Sequence, residues 1–371
     1  MRIINEVCRY LTGALFIFSG LIKLNDPYGL AYKMEEYFEI FSQDFSPVFE
    51  NFVPYALFLS VSLSALEVAL GVAILIYYRM KITMWVALLL ILYFTFLTFY
   101  AWYFDKLKEC GCFGDFIKLS AKASFIKDII LVVFIGILFW NRKKLYSPVS
   151  LRTGDIISGV SFALAVFVGY FAIQHLPYFD FRPYKVGNNI VALMKAEEAP
   201  RYKYIMSKEG KTYEFTKYPK EPGYKLDTFL LLNPDKIYPK ITDYRVYNEE
   251  GDFTDSTFIG TRLFIIIRKA EEAFQSEKKM KKLEEISQLI RQLESANVQP
   301  MVLTSSGTES IEILRHEVNL AAPYYFSDGT VLKTMIRSDP GLVLIKNGTI
   351  KGKWHYNDVP EAKDVIALVE K

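Results

Sequence analysis

Cysteine and histidine are scarce in this chain, with three of each among 371 residues. The histidines (His175, His316 and His355) stand far apart, so no zinc site finds enough ligands at a workable spacing, and no metal is expected. Charge is also sparse, at 23% of residues and a net +3. No dense Lys/Arg patch with interleaved aromatics occurs, which sets nucleic acid aside as a partner. The N-terminus is basic and then apolar, but no small-residue cleavage site follows. It is therefore read as a retained first span and not a removed signal peptide.

What the chain has in quantity is apolar sequence, 51% of residues, with aromatics at 16%. Nearly all the long apolar runs fall before residue 177, and the remainder reads as a soluble sequence rich in Lys and Glu. A membrane span needs about 20 mostly apolar residues. Residues 3–24, 52–78, 82–104, 123–140 and 156–176 qualify, giving five expected spans. An interfacial amphipathic helix is the alternative for the first. Orientation follows from Lys and Arg in short loops. Arg2 and Arg9, Arg79 and Lys81, and Arg142, Lys143, Lys144 and Arg152 must share one side, placed here in the cytoplasm. Lys106, Lys108, Lys118 and Lys122 in the opposing loop pull the other way. The expected localisation is a bacterial inner membrane, multi-pass. The N-terminus would be cytoplasmic and the C-terminal part periplasmic.

Two features of the membrane half carry chemistry. The first is Cys110-Gly111-Cys112, directly after the third span and on the outer side. Two cysteines two apart can bond only if the chain bends, which the central glycine permits. Such a small ring closes almost no loop and stabilises little. Strain would make it labile and suited to exchange, in a compartment where disulfides persist. Redox exchange, a static bridge and two inert thiols all stand as readings. The second is Glu67, near the middle of the second span, where an acid is costly and usually faces the bundle interior. Ser60, Ser64, Glu67 and Gly71 share one helical face, as do Thr12, Ser19 and Lys23 in the first span. A Lys23–Glu67 contact is one outcome of that arrangement. Glu67 is read either as a proton or quinone-side group or as polar glue between helices. Asn25-Asp26-Pro27 ends the first span as a helix stop. Cys8 is expected to be a packed, unreactive thiol.

A resemblance rests on these residues. The run from Gly13 through Ser19, Gly20 and Lys23 to Asn25-Asp26-Pro27, the Leu66-Glu67…Gly71 stretch, and Cys110-Gly-Cys-Phe-Gly-Asp115 are similar to the DoxX-like membrane family, and within it the methylamine-utilisation MauE group. The resemblance covers roughly residues 1–140, and CGCFG is its most specific part. It implies a four-helix membrane unit related to thiol-oxidising membrane proteins, and it carries over to Cys110, Cys112 and Glu67. The chain departs from that pattern by a fifth span and a long tail, an architecture that resembles two-part DoxX proteins of Bacteroidetes.

In the soluble half, residues 184–224 alternate around turns such as Glu209-Gly210, suggesting a small β unit. Ile241–Tyr247 alternates like a strand and turns at Glu250-Gly251. Leu263–Ile267 reads as a buried strand. A helix follows with Met280, Leu283, Ile286, Leu289, Ile290 and Leu293 on one face. Next come a strand at Pro300–Thr304 and a helix marked by Ile311, Leu314 and Val318. A hairpin then turns at Asn347-Gly348, and a last helix holds Val365, Ile366 and Val369. This order is similar to the thioredoxin fold of TlpA-type proteins over about 238–371, and Asp339-Pro340 stands where that fold keeps its cis-proline. Lys269–Phe274 occupies the place of the redox Cys-x-x-Cys, so this domain is not expected to exchange dithiols. Pro340 is a candidate for shaping a partner-binding groove.

The expected fold is an all-α transmembrane bundle followed by an α/β thioredoxin-like domain. The bundle comprises a four-helix DoxX-like unit (1–145) and a fifth span (146–177). A β-rich linker (184–237) leads to the soluble domain (238–371). Two functions follow. One is a membrane thiol–disulfide factor in which Cys110 and Cys112 exchange with a periplasmic client protein or thiol oxidoreductase and a quinone is the candidate acceptor. The other is a non-enzymatic scaffold or small-molecule permease.

Overall fold

The computed structural model describes residues 2–107, 113–117 and 119–370. It divides into two compact units, Met1–Phe181 and Arg182–Lys371.

The first unit is helical: α1 (Arg2–Asn25), α2 (Pro27–Asp44), α3 (Ala56–Leu75), α4 (Met80–Tyr103), α5 (Ala121–Asn141) and α6 (Leu151–Gln174). Among the described residues, five stretches are long and apolar enough to cross a membrane: Ile3–Asn25, Pro47–Leu75, Met80–Tyr103, Ala121–Asn141 and Leu151–Gln174. They lie where hydropathy placed them, and the first is a full-length helix.

α1 and α3 pack most closely because their facing residues are small. A Cβ on Gly20 would come within 2.8 Å of the Ser64 carbonyl oxygen, and one on Gly71 within 2.7 Å of the Gly13 carbonyl oxygen. Close backbone approach of this kind is how helices associate where no water is expelled. The polar stripes foreseen on α1 and α3 do turn inward. Thr12, Ser19, Lys23, Ser60, Ser64 and Glu67 are all buried. α6 leans on the α1/α3 pair, where Gly169 admits Leu24 and Val61 and Ala165 packs with Leu24, Ala65 and Val68.

α2 was not foreseen. Asn25-Asp26-Pro27 ends one helix but also begins another. Asp26 caps α2 by accepting from the Gly29 amide at 3.2 Å, and Pro27 takes the first helical turn, where its missing N–H costs nothing. α2 buries Ala31, Met34, Tyr37, Phe38 and Phe41. Its four Glu/Asp and one Lys keep it off a simple hydropathy profile. A 3₁₀ turn over Pro47–Tyr55 leads into α3.

The second unit holds a short helix α7 (Ile190–Leu193) and two sheets. β1 (Tyr202–Lys208), β2 (Lys211–Phe215) and β3 (Lys225–Leu231) form an antiparallel sheet ordered β2-β1-β3. Then follow β4 (Tyr247–Asn248), β5 (Gly251–Asp252), β6 (Thr261–Ile267), α8 (Ala270–Phe274), α9 (Glu277–Leu293), β7 (Val298–Thr304), α10 (Thr308–Glu317), β8 (Tyr324–Phe326), α11 (Gly329–Met335), β9 (Gly341–Lys346), β10 (Thr349–His355) and α12 (Ala362–Glu370). The second sheet is ordered β10-β9-β6-β7-β8-β4-β5. β6 runs parallel to β7 and antiparallel to β9, with Ile265 opposite Val302 on one side and Leu342 on the other. β6 is buried on both faces, which explains its unbroken apolar run.

Three readings of this unit need correction. Ile241–Val246 makes no ladder. Ile241, Tyr244 and Val246 are buried at spacings of three and two, so the alternation marks an extended stretch packed by side chains, and pairing starts only at Tyr247. β8 was missed because it is three residues long. α11 was missed because its seven residues are too few to show a helical period, although Asp328 caps it through the Thr330 and Val331 amides. The Asn347-Gly348 hairpin is present, with φ of 48° and 74° at its two turn residues, the left-handed pair that a two-residue turn requires.

Candidate functional site: a charged cavity in the helix bundle

α1, α2, α3, α4 and α5 line a small cavity with about 50 Å³ of space for the centres of water molecules. Its walls are chiefly apolar, from Leu15 and Phe16 on α1 to Leu131 on α5, yet five lining residues are formally charged: Lys23, Lys33, Glu67, Lys127 and Asp128.

Glu67 projects from the middle of α3, about 17 Å along the axis from Ala56. Lys23, near the C-terminal end of α1, reaches back to it. The two form a salt bridge in which both side chains are almost wholly buried, at 4% and 6% exposure. The Lys23 ammonium also sits 4.7 Å from the Phe94 ring centroid, on the cation-attracting face of the aromatic. The contact that the two polar stripes allowed is therefore present.

A second pair lines the same cavity, with Asp128 fully buried and Lys127 partly exposed. Asp128 lies about 10 Å into α5 from its start and has no exposed surface. Lys127 Nζ donates to Asp128 Oδ1 at 2.6 Å, and the Thr98 hydroxyl of α4 donates to Asp128 Oδ2 at 3.0 Å. Lys33 of α2 also lines the cavity and pairs with Glu36 at 2.8 Å. Isolated charges at this depth would cost several kcal/mol each. Pairing each cation with an acid is what makes the arrangement tolerable.

Sequence reasoning singled out Glu67, with Lys23 and Ser19 on the facing stripe of α1, and did not bring Lys33, Tyr37, Thr98, Lys127 and Asp128 to this site. Lys127 and Asp128 were visible as charges inside an expected span, which is itself the signal of a functional position. Nothing in the sequence said that they share a cavity with Glu67, nor that an extra helix contributes Lys33 and Tyr37.

Cys110 and Cys112 lie outside the described residues. Phe113, bonded to Cys112, is buried and lines the cavity, with the Lys127 ammonium 5.3 Å from its ring centroid. Phe18 of α1 packs against both Phe113 and Phe116, at 5.9 and 5.8 Å between centroids. Phe116 in turn meets Phe181 edge-on at 4.9 Å. The segment carrying Phe181 is pinned by Asn25, whose side chain donates to the Phe179 carbonyl at 2.8 Å and accepts from its amide at 2.9 Å. Cys8 is a free, buried thiol on α1.

In the second unit the Asp339–Pro340 bond is cis, and Pro340 is buried. Asp339 accepts from the Arg268 amide at 3.0 Å and faces the Arg268 guanidinium at 3.5 Å. Burial pushes its carboxyl above the usual range, partly opposed by Arg268 and Lys279. α8 follows β6 directly. Its edge is tied by Ser306, whose hydroxyl accepts from the Ala270 amide at 2.7 Å and contacts Glu271 at 3.2 Å. Among the described residues no group of three or more His, Cys, Asp or Glu side chains converges to hold a metal.

No curated protein matches the chain. Residues 1–141, the part that builds the charged cavity, match the family model of the methylamine utilisation protein MauE.

Proposed function

We propose that this integral membrane protein is a thiol–disulfide factor for the maturation of extracytoplasmic proteins, with Cys110 and Cys112 as the exchanging pair. The observation that carries the reading is the reach of the charged cavity to Phe113, the residue bonded to Cys112. In this scheme a client dithiol attacks the Cys110–Cys112 disulfide, the client leaves oxidised, and the pair is left as two thiols. Reoxidation passes two electrons and two protons to a quinone, giving the quinol, or to the disulfide of a thiol oxidoreductase. Glu67 is the intramembrane acid of the scheme.

In the same proposal the first unit is a DoxX-like four-helix core of α1, α3, α4 and α5, with α6 added. It sits in a bacterial inner membrane with the N-terminus cytoplasmic. The second unit is thioredoxin-like, periplasmic and without redox cysteines, its boundaries near 238–371. The parallel β6-β7-β8 set flanked by antiparallel β9 and β10 supports that assignment. Such a unit would dock a client, with the buried Pro340 shaping the rim around α8.

Thiol trapping and mass spectrometry in intact cells test the exchange. The expected result is a Cys110/Cys112 pair whose oxidation state follows the oxidant background outside the membrane. A pair locked in one state under every background refutes it. A second reading, a small-molecule permease or scaffold, is favoured by the cavity itself. On that reading Cys110→Ser with Cys112→Ser leaves function intact while Glu67→Gln abolishes it.

A further inference from the structure

Each sheet of the second unit ends on two edge strands, and an edge presents a row of backbone N–H and C=O groups that a further strand can pair. Among the described residues, three of these four edges are blunted. β10 is met by residues 187–190, where the Gly187 N–H donates to the Ile350 carbonyl at 2.8 Å and the Ile350 N–H to the Asn188 carbonyl at 3.0 Å. β5 is two residues long. β2 is five residues long and carries Lys211 and Glu214. β3 is seven residues long, and after Asp227 it runs Thr228-Phe229-Leu230-Leu231 without a charge or a proline. It pairs with β1, and among the described residues no backbone bond leaves its other side. Phe229 and Leu230 point to opposite faces and are 56% and 51% exposed. In an antiparallel ladder every second residue of β3 turns its N–H and C=O outward. A lipid or a small molecule cannot answer that row at strand spacing, whereas an extended polypeptide can.

We propose that the open edge of β3 binds an extended, apolar segment of another polypeptide as a fourth strand of the small sheet. Seven residues of strand span about 24 Å, so the guest segment is about as long. Its backbone pairs with β3. Its side chains lie beside Phe229 on one face, where the Tyr202 ring meets Phe229 edge-on at 5.5 Å, and beside Thr228 and Leu230 on the other. Main-chain bonds supply the affinity, so recognition depends weakly on sequence. The charge-free half of β3 favours apolar and β-branched guests over charged ones. The site uses no cysteine and no part of the bundle cavity, so it stands or falls separately from the thiol-exchange reading.

Fluorescence anisotropy tests this, with the full-length protein in lipid nanodiscs that hold a single copy and a dye-labelled, end-blocked peptide of alternating valine and threonine as the probe. The expected result is saturable binding, with hydrogen exchange slowed over 225–231 and unchanged over 211–215. Phe229→Lys and Leu230→Lys, both at exposed positions and so compatible with folding, should each weaken binding about tenfold or more. The same peptide N-methylated throughout keeps its side chains but cannot donate to β3, and it should not bind. No saturable binding, equal binding by the N-methylated peptide, or wild-type binding by both lysine variants overturns the proposal. Dimerisation in detergent at high protein concentration, with exchange slowed over 225–231, also overturns it, by giving the edge to a second copy of the chain.

Discussion

Replacing Lys23 by Met leaves the Glu67 carboxylate in the bundle without its partner. Glu67 is 4% exposed and lies near the middle of α3, so water cannot take over the lost interaction. Breaking a buried pair from one side costs about 3–5 kcal/mol, whereas replacing both members by apolar residues of similar volume is often near neutral. A neutral polar contact between membrane helices is worth only about 0.6 kcal/mol, because the unfolded helices find other partners in the bilayer. The two cases are therefore separable by a double-mutant cycle. Lys23→Met and Glu67→Met alone should each lower stability by about 3 kcal/mol or more, while the double variant should lose only about 1 kcal/mol, a coupling of about 5 kcal/mol. Cys8 supplies the assay. It is a buried free thiol on α1, so in a Cys110→Ser/Cys112→Ser background a thiol-reactive dye reports unfolding as the bundle opens. Additive single effects, with coupling below about 0.5 kcal/mol, would show that the two side chains do not share a buried ion pair.

Three further outcomes follow from other parts of the structure. Gly71→Val places a Cβ within 2.7 Å of the Gly13 carbonyl oxygen, so the same thiol-dye assay should show a loss of about 1–3 kcal/mol or more from overpacking, while Gly136→Ala, facing open space, should cost almost nothing. Asn25→Ala removes both side-chain bonds to Phe179, and amide hydrogen exchange over 177–181 should rise severalfold while α3 stays protected. Asp339→Asn reads out the buried acid. Because the folded carboxyl sits above its unfolded value, the folded state holds the proton longer, and its contribution to stability falls as pH rises from about 4 through the folded value. Hydrogen exchange of the β6 and β9 amides, corrected for intrinsic rates, should lose that slope in the variant. An unchanged slope would mean that Asp339 is not the group that titrates.

The five spans were legible because crossing a bilayer demands a length of apolar sequence that no other element needs. The inward faces of α1 and α3 were legible for a related reason: polar residues at helical spacing inside such a span have only the interior to face. The same held for β6 and the Asn347-Gly348 hairpin, where burial on both faces and a left-handed turn each impose a local composition. α2 escaped because a helix lying among others has no length requirement and tolerates Glu and Lys at its edges. β8 and α11 escaped because three and seven residues carry too little period. Tertiary structure alone decided that Lys23 meets Glu67, that Asp128 is held between Lys127 and Thr98, and that both acids line one cavity with Phe113. The Lys23–Glu67 and Thr98–Asp128 contacts join residues 44 and 30 positions apart. Only helix packing, set by where glycines let backbones approach, determines which of the inward-facing charges come within reach of one another.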